Sequence, residues 1–361
     1  MTIATLEITD LSHLPTINRL RRNRSGELRR YPSWVRRLPA LLDDYEVSDT
    51  ILVDGKIPLN YFTHKQNFGD LISPWLVQQM TGREVVVARR SEPHYVVIGS
   101  ILNQSTDQSI IWGPGTYGTE AKREVAANAQ YTAVRGPLTQ AKLSASRGFG
   151  IAVPEVYGDP ALLAPLYYQP SVPITHEYGV VVRWSERRWS RATYGPGVKM
   201  IDFGRSDVEA VFRELLSCRK IITSSLHGLI VADAYGIPNA WLASNSPRGG
   251  AFKFHDYFAS VNKLRQPHKY DLAAQPVTAQ LLREAFTFSD EKIEFDYRAL
   301  LDVSPFLRRK MSARAGHRWV GFSGSRSTRL RGRNGADGRQ DRWRFADQGD
   351  RRRVRDDHPA L

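Results

Sequence analysis

The stretch RKIITSSLHGLIVADAYGIPNAWLAS, residues 219–244, predicts a strand, a helix and a second strand in succession. Its two ends, 219–225 and 239–244, are short and apolar, as buried strands are. The apolar run 226–236 between them has the length of a helix. A strand–helix–strand unit with such apolar strands indicates a parallel sheet covered by helices on both faces.

The same alternation of strand and helix recurs along the chain. Further strands are predicted at 50–54, 84–89, 95–100, 109–115, 130–136, 178–184 and 198–204. Helices are predicted at 69–82, 136–148 and 206–218. The segment 158–179 holds four prolines and is interpreted as a linker between the two series. The pattern predicts an α/β protein of two Rossmann-like lobes, which should bind ligand in the central cleft between them.

Four regions follow from this pattern and from the charge distribution. We expect a basic leader at 1–46, an N-terminal lobe at 47–170, a C-terminal lobe at 171–307 and a basic tail at 308–361. The tail carries 16 Lys and Arg against 6 Asp and Glu, so it holds most of the formal net charge of +14. It lacks any helix or strand period, which predicts disorder.

The composition restricts the class of protein. A single cysteine, Cys218, allows no disulfide within the chain, and residues 1–15 lack the pattern of a secretory signal. No apolar run reaches the roughly 18–20 residues of a membrane span. We therefore expect a cytoplasmic protein whose basic tail contacts the cytoplasmic face of an anionic membrane. Because the basic excess is a property of the tail, no nucleic-acid partner is expected for the folded body.

His227 is the first candidate for chemistry. It lies in the first helical turn after a strand that ends in small hydroxyl residues, among them Ser224 and Ser225. The helix dipole disfavours imidazolium there, so the ring stays a usable base until an anion binds. Ser225 with His227 does not make a hydrolase pair, because there is no GxSxG elbow and no obvious orienting acid. A lone histidine near an apolar helix is also commonly structural.

Two other strand-to-helix turns carry candidate residues. Asn67, Gly69 and Asp70 begin a predicted helix, where backbone N–H groups favour an anion; helix capping is the alternative role of Asp70. Arg135 ends a strand directly before Gly-Pro, and arginine is the preferred bidentate partner of a carboxylate or phosphate. Asp159, between a glycine and a proline, indicates a turn at least as readily as a site.

Glycines and a basic loop complete the candidate site. Gly113 and Gly115 follow a buried strand, where they would let the backbone approach a ligand, although any tight turn has the same composition. Arg183 follows the first strand of the second lobe, within a basic and aromatic loop that also holds Trp184. This loop could clamp an anion or stack on a sugar ring. The sequence contains no P-loop, HExxH or DxD motif, and we expect no metal site.

These stretches together resemble the polysaccharide pyruvyl transferase family. The resemblance covers roughly residues 48–265 and is carried by NFGDLISPWLV, YVVIGSIL, IIWGPGT, AVRGPLT, YGDPALL and TSSLHGLIVADAYGIP, in the family's order. It implies a fold like that of GT-B glycosyltransferases, with Arg135 and His227 in donor binding and catalysis. Many members have Pro-His after the first strand of the second lobe, where this chain has Val182-Arg183.

The resemblance also implies the reaction. The enolpyruvyl group of phosphoenolpyruvate would pass to a hydroxyl pair of a sugar in an exopolysaccharide, a cell-wall glycan or a glycolipid precursor. The product is a cyclic pyruvate ketal and phosphate is released; phosphoenolpyruvate is the donor substrate and no cofactor is needed. The chemistry requires an acid and a base, for which His227 and Asp70 are the candidates.

Two other functions remain open on the sequence. The first is a GT-B-type glycosyltransferase that uses a nucleotide sugar, since the same architecture serves both chemistries. The second is a basic protein that binds nucleic acid or an anionic membrane through residues 308–361.

Overall fold

A computed structural model of the chain describes residues 27–145, 148–183, 185–244 and 249–311. The described residues all belong to one unit, which ends at Met311. Most of the predicted leader, nearly all of the predicted tail, and Trp184 lie outside the described residues. None of the described helices is long and apolar enough to cross a membrane.

Strands and helices alternate along much of the chain, although no described helix separates the strands Val85–Val87 and His94–Val96. The strands are β1 (Tyr45–Val47), β2 (Ile57–Leu59), β3 (Val85–Val87), β4 (His94–Val96), β5 (Ser109–Trp112), β6 (Gln130–Ala133), β7 (His176–Val181), β8 (Val198–Met200), β9 (Cys218–Thr223), β10 (Asn239–Trp241) and β11 (Leu307–Arg309). The α-helices are α1 (Ser33–Arg36), α2 (Phe68–Thr81), α3 (Pro137–Ser144), α4 (Ala164–Tyr167), α5 (Arg187–Ser190), α6 (Val208–Leu216), α7 (Leu226–Ala234), α8 (Phe252–Ser260), α9 (Ala279–Ala285) and α10 (Tyr297–Asp302). Short 3₁₀ helices lie at Leu38–Asp44, Leu102–Gln104, Lys122–Glu124 and Pro160–Leu163.

Two parallel sheets carry the fold. The first has five strands in the order β3-β2-β4-β5-β6, and the second has four in the order β10-β9-β7-β8. Every neighbouring pair in both sheets is parallel. The prediction of an α/β protein with parallel sheets is therefore confirmed.

The strand predicted at 50–54 is wrong; the strand lies at β2 instead. Asp54 and Gly55 adopt left-handed backbone conformations, with φ of 50° and 77°, and turn the chain. Ile57 and Leu59 after this turn are fully buried, whereas Leu52 is exposed. Pro58 in the middle of β2 conceals the strand from a pattern search, because proline is depleted in strands.

The proline-containing segment between the sheets is largely buried. Asp159 caps the 3₁₀ helix Pro160–Leu163 by accepting a hydrogen bond from the backbone N–H of Ala161. Helix α7 packs against this 3₁₀ helix and so joins the second sheet to the end of the first. The segment connects the sheets, as expected, but it does so through the core.

The residues after β10 return to the first sheet. Helix α8 packs against α3, and Trp112 of β5 donates its indole N–H to the carbonyl of Leu300 in α10 at 3.0 Å. Strand β11 then pairs antiparallel with β1, with Tyr45 opposite Arg309. The last described residues thus return to β1 and to the first sheet.

The pairing of β11 with β1 predicts where the chain can be shortened. A chain ending at Phe306 loses β11, whose Leu307 is buried and whose Arg309 pairs with Asp302 at 2.6 Å. Loss of the Leu307 burial alone should lower the free energy of unfolding by about 2 kcal/mol relative to a chain ending at Met311. Urea unfolding of the two truncated chains checks this, and equal midpoints would contradict it.

Candidate functional site

A cavity of about 320 Å³ lies where the two parallel sheets face each other, at the carboxyl ends of their strands. Residues just after β4, β7 and β9 reach it, together with the first turn of α2 and the start of α8. Its polar lining consists of Asn67, Asp70, Ser100, Tyr117, Arg183, Ser225, His227 and Lys253. Five of these were predicted from the sequence as site residues.

His227 enters this cavity from the first turn of α7 and is 9% exposed. Its ring lies directly over Gly69 of α2, where an added Cβ would stand 2.1 Å from Nδ1. The predicted site residue Gly69 thus makes room for the histidine ring. Burial, followed by the nearby charges of Lys253 and Arg135, lowers the pKa of His227 to about 3. The ring is therefore neutral at physiological pH.

The carboxyl group of Asp159 lies beside His227. The sequence alone does not reveal this pairing. Its carboxyl group is fully buried, and Oδ2 lies 3.8 Å from Nε2 of His227. Burial raises the pKa of Asp159 to about 7, against the opposing effects of the Ala161 N–H and Arg135. The sequence predicts a turn at Asp159, and the structure has a turn there. No residue pattern near Asp159 indicates that α7 would bring a histidine to this turn.

Asp70 lines the cavity rather than capping its helix. Its Oδ2 accepts a hydrogen bond from Nδ2 of Asn67 at 2.7 Å, and Asn67 itself occupies the N-cap position without a side-chain cap bond. Burial raises the pKa of Asp70 to about 6, while the Asn67 hydrogen bond and the charge of Lys253 act in the opposite direction. The carboxylate is therefore largely ionised at pH 7 and able to take a proton.

Lys253 is a functional candidate that sequence reasoning missed. It lies in the first turn of α8, far along the chain from the other cavity residues, and its ammonium stands 5.7 Å from the centroid of the Tyr117 ring. Burial, with the charges of Arg183 and Arg135, lowers the pKa of Lys253 to about 7. A local motif could not have identified it, because the packing of α8 places it.

Arg135 lies beneath the cavity, with its guanidinium already bound. Nε donates to Oδ2 of Asp256 at 2.9 Å, Nη1 to Oγ of Ser100 at 2.7 Å, and Nη2 to the carbonyl of Thr116 at 2.8 Å. The side chain is 0% exposed. In this structure Arg135 thus supports the cavity through Ser100, which lines it, instead of lining it itself.

The glycines of the 110–118 stretch allow protein groups, rather than a ligand, to approach. A Cβ on Gly115 would lie 2.3 Å from Cζ of Arg135, and one on Gly113 would lie 2.2 Å from Cδ of Pro160. Gly113 also has a φ of 94°, a conformation that favours glycine. Because Gly115 and Gly113 have no side chain, Arg135 and the turn that carries Asp159 can pack closely against the 110–118 stretch.

Arg183 and the two serines form the wall from the second sheet. Arg183 and Ser225 line the cavity, and Ser225 is the N-cap of α7. Ser224 is buried behind them; its Oγ accepts from the backbone N–H of Arg183 at 3.0 Å and donates to Glu186. Ser224 therefore orders the loop instead of facing the cavity.

The arrangement combines two cationic side chains, a neutral histidine and buried carboxyl groups. Lys253 and Arg183 suit an anionic substrate, and His227 and Asp70 supply two groups that can exchange protons with it. In the part of the chain that the structure describes, no three His, Cys, Asp or Glu side chains are grouped so as to hold a metal ion.

Comparison with known proteins identifies the class of enzyme. The sequence model of the polysaccharide pyruvyl transferase family matches residues 7–246. The chain belongs to this family, and it is a polysaccharide pyruvyltransferase. The resemblance drawn from the ordered motifs is therefore confirmed.

Two curated proteins and one solved structure are similar. An uncharacterised protein of Acanthamoeba polyphaga mimivirus is 27% identical over 59% of this chain and 77% of its own length. The succinoglycan biosynthesis protein ExoV of Rhizobium meliloti (strain 1021) is 26% identical over 60% of this chain and 69% of its own. A functionally uncharacterised Klebsiella pneumoniae protein of known crystal structure aligns over 62% of this chain and 92% of its own, with 10% identity and a TM-score of 0.38.

The raised pKa of Asp70 predicts a pH-dependent cost in stability. The folded protein favours the protonated carboxyl group, so stability falls as the pH rises from 3.8, the ordinary pKa of an aspartate, through about 6. Asp70→Asn keeps the side chain's size and removes that cost. We expect the variant to unfold at a higher temperature than the wild type at pH 8, and the difference to shrink near pH 4.5.

Thermal unfolding at the two pH values measures this effect, with Asp49→Asn as an exposed control. A wild type that is more stable than Asp70→Asn at pH 8 would contradict the assignment of a strained, buried carboxylate. Loss of activity alongside the gain in stability is expected for a group that serves the reaction.

Proposed function

We propose that this enzyme transfers the enolpyruvyl group of phosphoenolpyruvate to two hydroxyls of one sugar, forming a cyclic pyruvate ketal and releasing phosphate. The observation that carries the proposal is the cavity in which Lys253 and Arg183 stand beside neutral His227 and ionisable Asp70. Membership of the polysaccharide pyruvyl transferase family supports pyruvyl transfer to a polysaccharide in general.

The two cations match the two anionic groups of the donor. Phosphoenolpyruvate carries a carboxylate and a phosphate, and we assign Arg183 and Lys253 to them. The N-terminal turns of α2 and α7 add backbone N–H groups to the same cavity, which favours anions further. Binding such an anion opposes the effect of the Lys253 and Arg135 charges on His227, and so raises the pKa of its ring.

We assign the acid role to His227 and the base role to Asp70. His227 gives a proton to the methylene carbon of the donor, which becomes a methyl group and leaves C2 electron-poor. A first sugar hydroxyl attacks C2 and passes its proton to Asp70. The bond from C2 to the phosphate oxygen breaks, and a second hydroxyl closes the ketal. One of the two hydroxyl protons replaces the proton that was given to the methylene carbon. The other leaves with the phosphate.

A larger cavity of about 660 Å³ in the second lobe is our candidate for the sugar acceptor. It shares the loop that follows β7, with Glu186 and Ser244 in its wall and Arg183 on the donor side. Tyr270 offers a ring face to the cavity. Acidic and basic side chains also line the cavity, which suits the hydroxyls of a saccharide. The acceptor is then a saccharide or a lipid-linked saccharide of exopolysaccharide, cell-wall glycan or glycolipid synthesis.

We propose that the two sheets form Rossmann-like lobes of the GT-B kind, that the enzyme works in the cytoplasm without a cofactor or nucleic-acid partner, and that residues 308–361 contact an anionic membrane. The charge of that tail supports the membrane contact.

The reaction is tested by incubating the full chain with phosphoenolpyruvate and a panel of p-nitrophenyl hexosides and N-acetylhexosaminides. We expect phosphate release and a product whose mass has increased by pyruvic acid less one water. His227→Gln should reduce the rate on the order of 10²–10⁴-fold, because general acid catalysis contributes that much.

The matched control is His176→Gln, at the opposite, amino end of β7, which should keep the wild-type rate. Transfer of a sugar from a nucleotide sugar without phosphate release would refute the proposal and favour the glycosyltransferase. Equal rates in the two histidine variants would refute the role of His227.

A further inference from the structure

Two buried polar atoms lie near each other at the back of the cavity. Oδ2 of Asp159 and Nε2 of His227 are both inaccessible to solvent, and neither has a hydrogen-bond partner among the residues that the structure describes. They lie 3.8 Å apart, about an ångström beyond a hydrogen bond. Buried polar groups are rarely left unsatisfied, and those that are cluster at catalytic groups. The pair therefore calls for a functional reason.

The two residues come from different sheets. Asp159 follows the segment that extends the first sheet beside β6, since the carbonyl of Val134 accepts from the N–H of Gly158. His227 is carried by α7 of the second sheet. Helix α7 packs on the 3₁₀ helix that Asp159 caps, and this packing brings the two side chains together.

The geometry assigns the two ring nitrogens different tasks. Nε2 is buried against Asp159, so no ligand can reach it. The ring nonetheless lines the cavity, and its Nδ1 lies over Gly69, next to Asp70 in the chain. Nδ1 is therefore the ring atom left to face the donor.

We propose that Asp159 is the positioning residue of the reaction: its carboxyl group holds the proton that places the ring hydrogen of His227 on Nδ1. This inference rests on the proposed function. When Nδ1 gives its proton to the donor's methylene carbon, Asp159 gives its own proton to Nε2. The ring stays neutral, Asp159 becomes a carboxylate, and a proton from solvent or product restores it.

The charged groups around the pair fit this role. Arg135 lies near both residues, Lys253 acts on His227 from α8, and Asp256 acts on Asp159 from the same helix. Burial is the largest influence on each, which raises the pKa of Asp159 to about 7 and keeps His227 neutral. Below about pH 7 Asp159 is therefore an acid that donates to Nε2. Above it, the carboxylate accepts a hydrogen from Nε2, and Nδ1 has none to give.

The first test is the tautomer of His227 in the ligand-free wild-type protein, read from its ¹⁵N chemical shifts. The signals of His227, one of 9 histidines, are assigned by their loss in His227→Gln. We expect the hydrogen to move from Nδ1 to Nε2 as the pH rises, with a midpoint near 7 and no ring protonation. A tautomer that does not change between pH 5.5 and 8.5 would overturn the inference, whatever the enzyme's substrate proves to be.

The second test is Asp159→Asn, which keeps the cap through Oδ1 and removes only the ionisable proton, since Asn and Asp cap helices equally well. We expect kcat to fall about 10²–10⁴-fold, KM for phosphoenolpyruvate to stay close to the wild-type value, and the rate loss above pH 7 to disappear. Titration of the donor affects the pH–rate profiles of the wild type and of Asp159→Asn equally, so it cancels in the ratio of the two rates.

Asp207→Asn is the matched control, because Asp207 caps α6 in the same way, through Oδ1 and the N–H of Ala210. It should keep the wild-type rate and pH profile. An Asp159→Asn enzyme with wild-type kcat and an unchanged alkaline limb would overturn the inference. If the wild type releases no phosphate from phosphoenolpyruvate, the proposed function fails, and the tautomer measurement alone decides the role of Asp159.

Discussion

The site depends on one buried ion pair, between Arg135, which follows the first sheet's strand β6, and Asp256 of α8. Asp256 also accepts hydrogen bonds from the backbone N–H and the hydroxyl of Thr139, at 2.8 and 2.7 Å. Gly136 lets α8 come this close, since a Cβ there would stand 2.0 Å from the Asp256 carbonyl oxygen. Removing one partner of such a pair costs about 3–5 kcal/mol, because the other charge stays buried. This pair ties a helix that follows the second sheet to the carboxyl edge of the first.

The ion pair explains how distant parts of the chain meet. With α8 held on α3, Lys253 reaches the cavity opposite Asp70 and beside His227. Helix α7 meanwhile packs on the turn that carries Asp159. The cavity therefore gathers groups from both sheets and from the helix that crosses between them, and its cations, acids and histidine interact through a buried, low-dielectric region.

Residue pattern alone was enough to predict the α/β class, the parallel sheets and four of the ten described α-helices, because buried parallel strands are uniformly apolar and these helices have clear ends. It also identified Asn67, Asp70, Arg183, Ser225 and His227, which the structure brings to one cavity. It missed Lys253 and the partner of His227, since both depend on contacts between residues far apart in sequence. Gly69, Gly115 and Arg135 lie at the site, but they support its residues rather than line it.

The central claim is that this cavity binds phosphoenolpyruvate against His227. A crystal structure of His227→Gln soaked with phosphoenolpyruvate tests it directly. We predict donor density in the cavity, with its phosphate and carboxylate on Lys253 and Arg183 and its methylene carbon beside residue 227. Donor bound elsewhere, or a methylene carbon turned away from residue 227, would contradict the account.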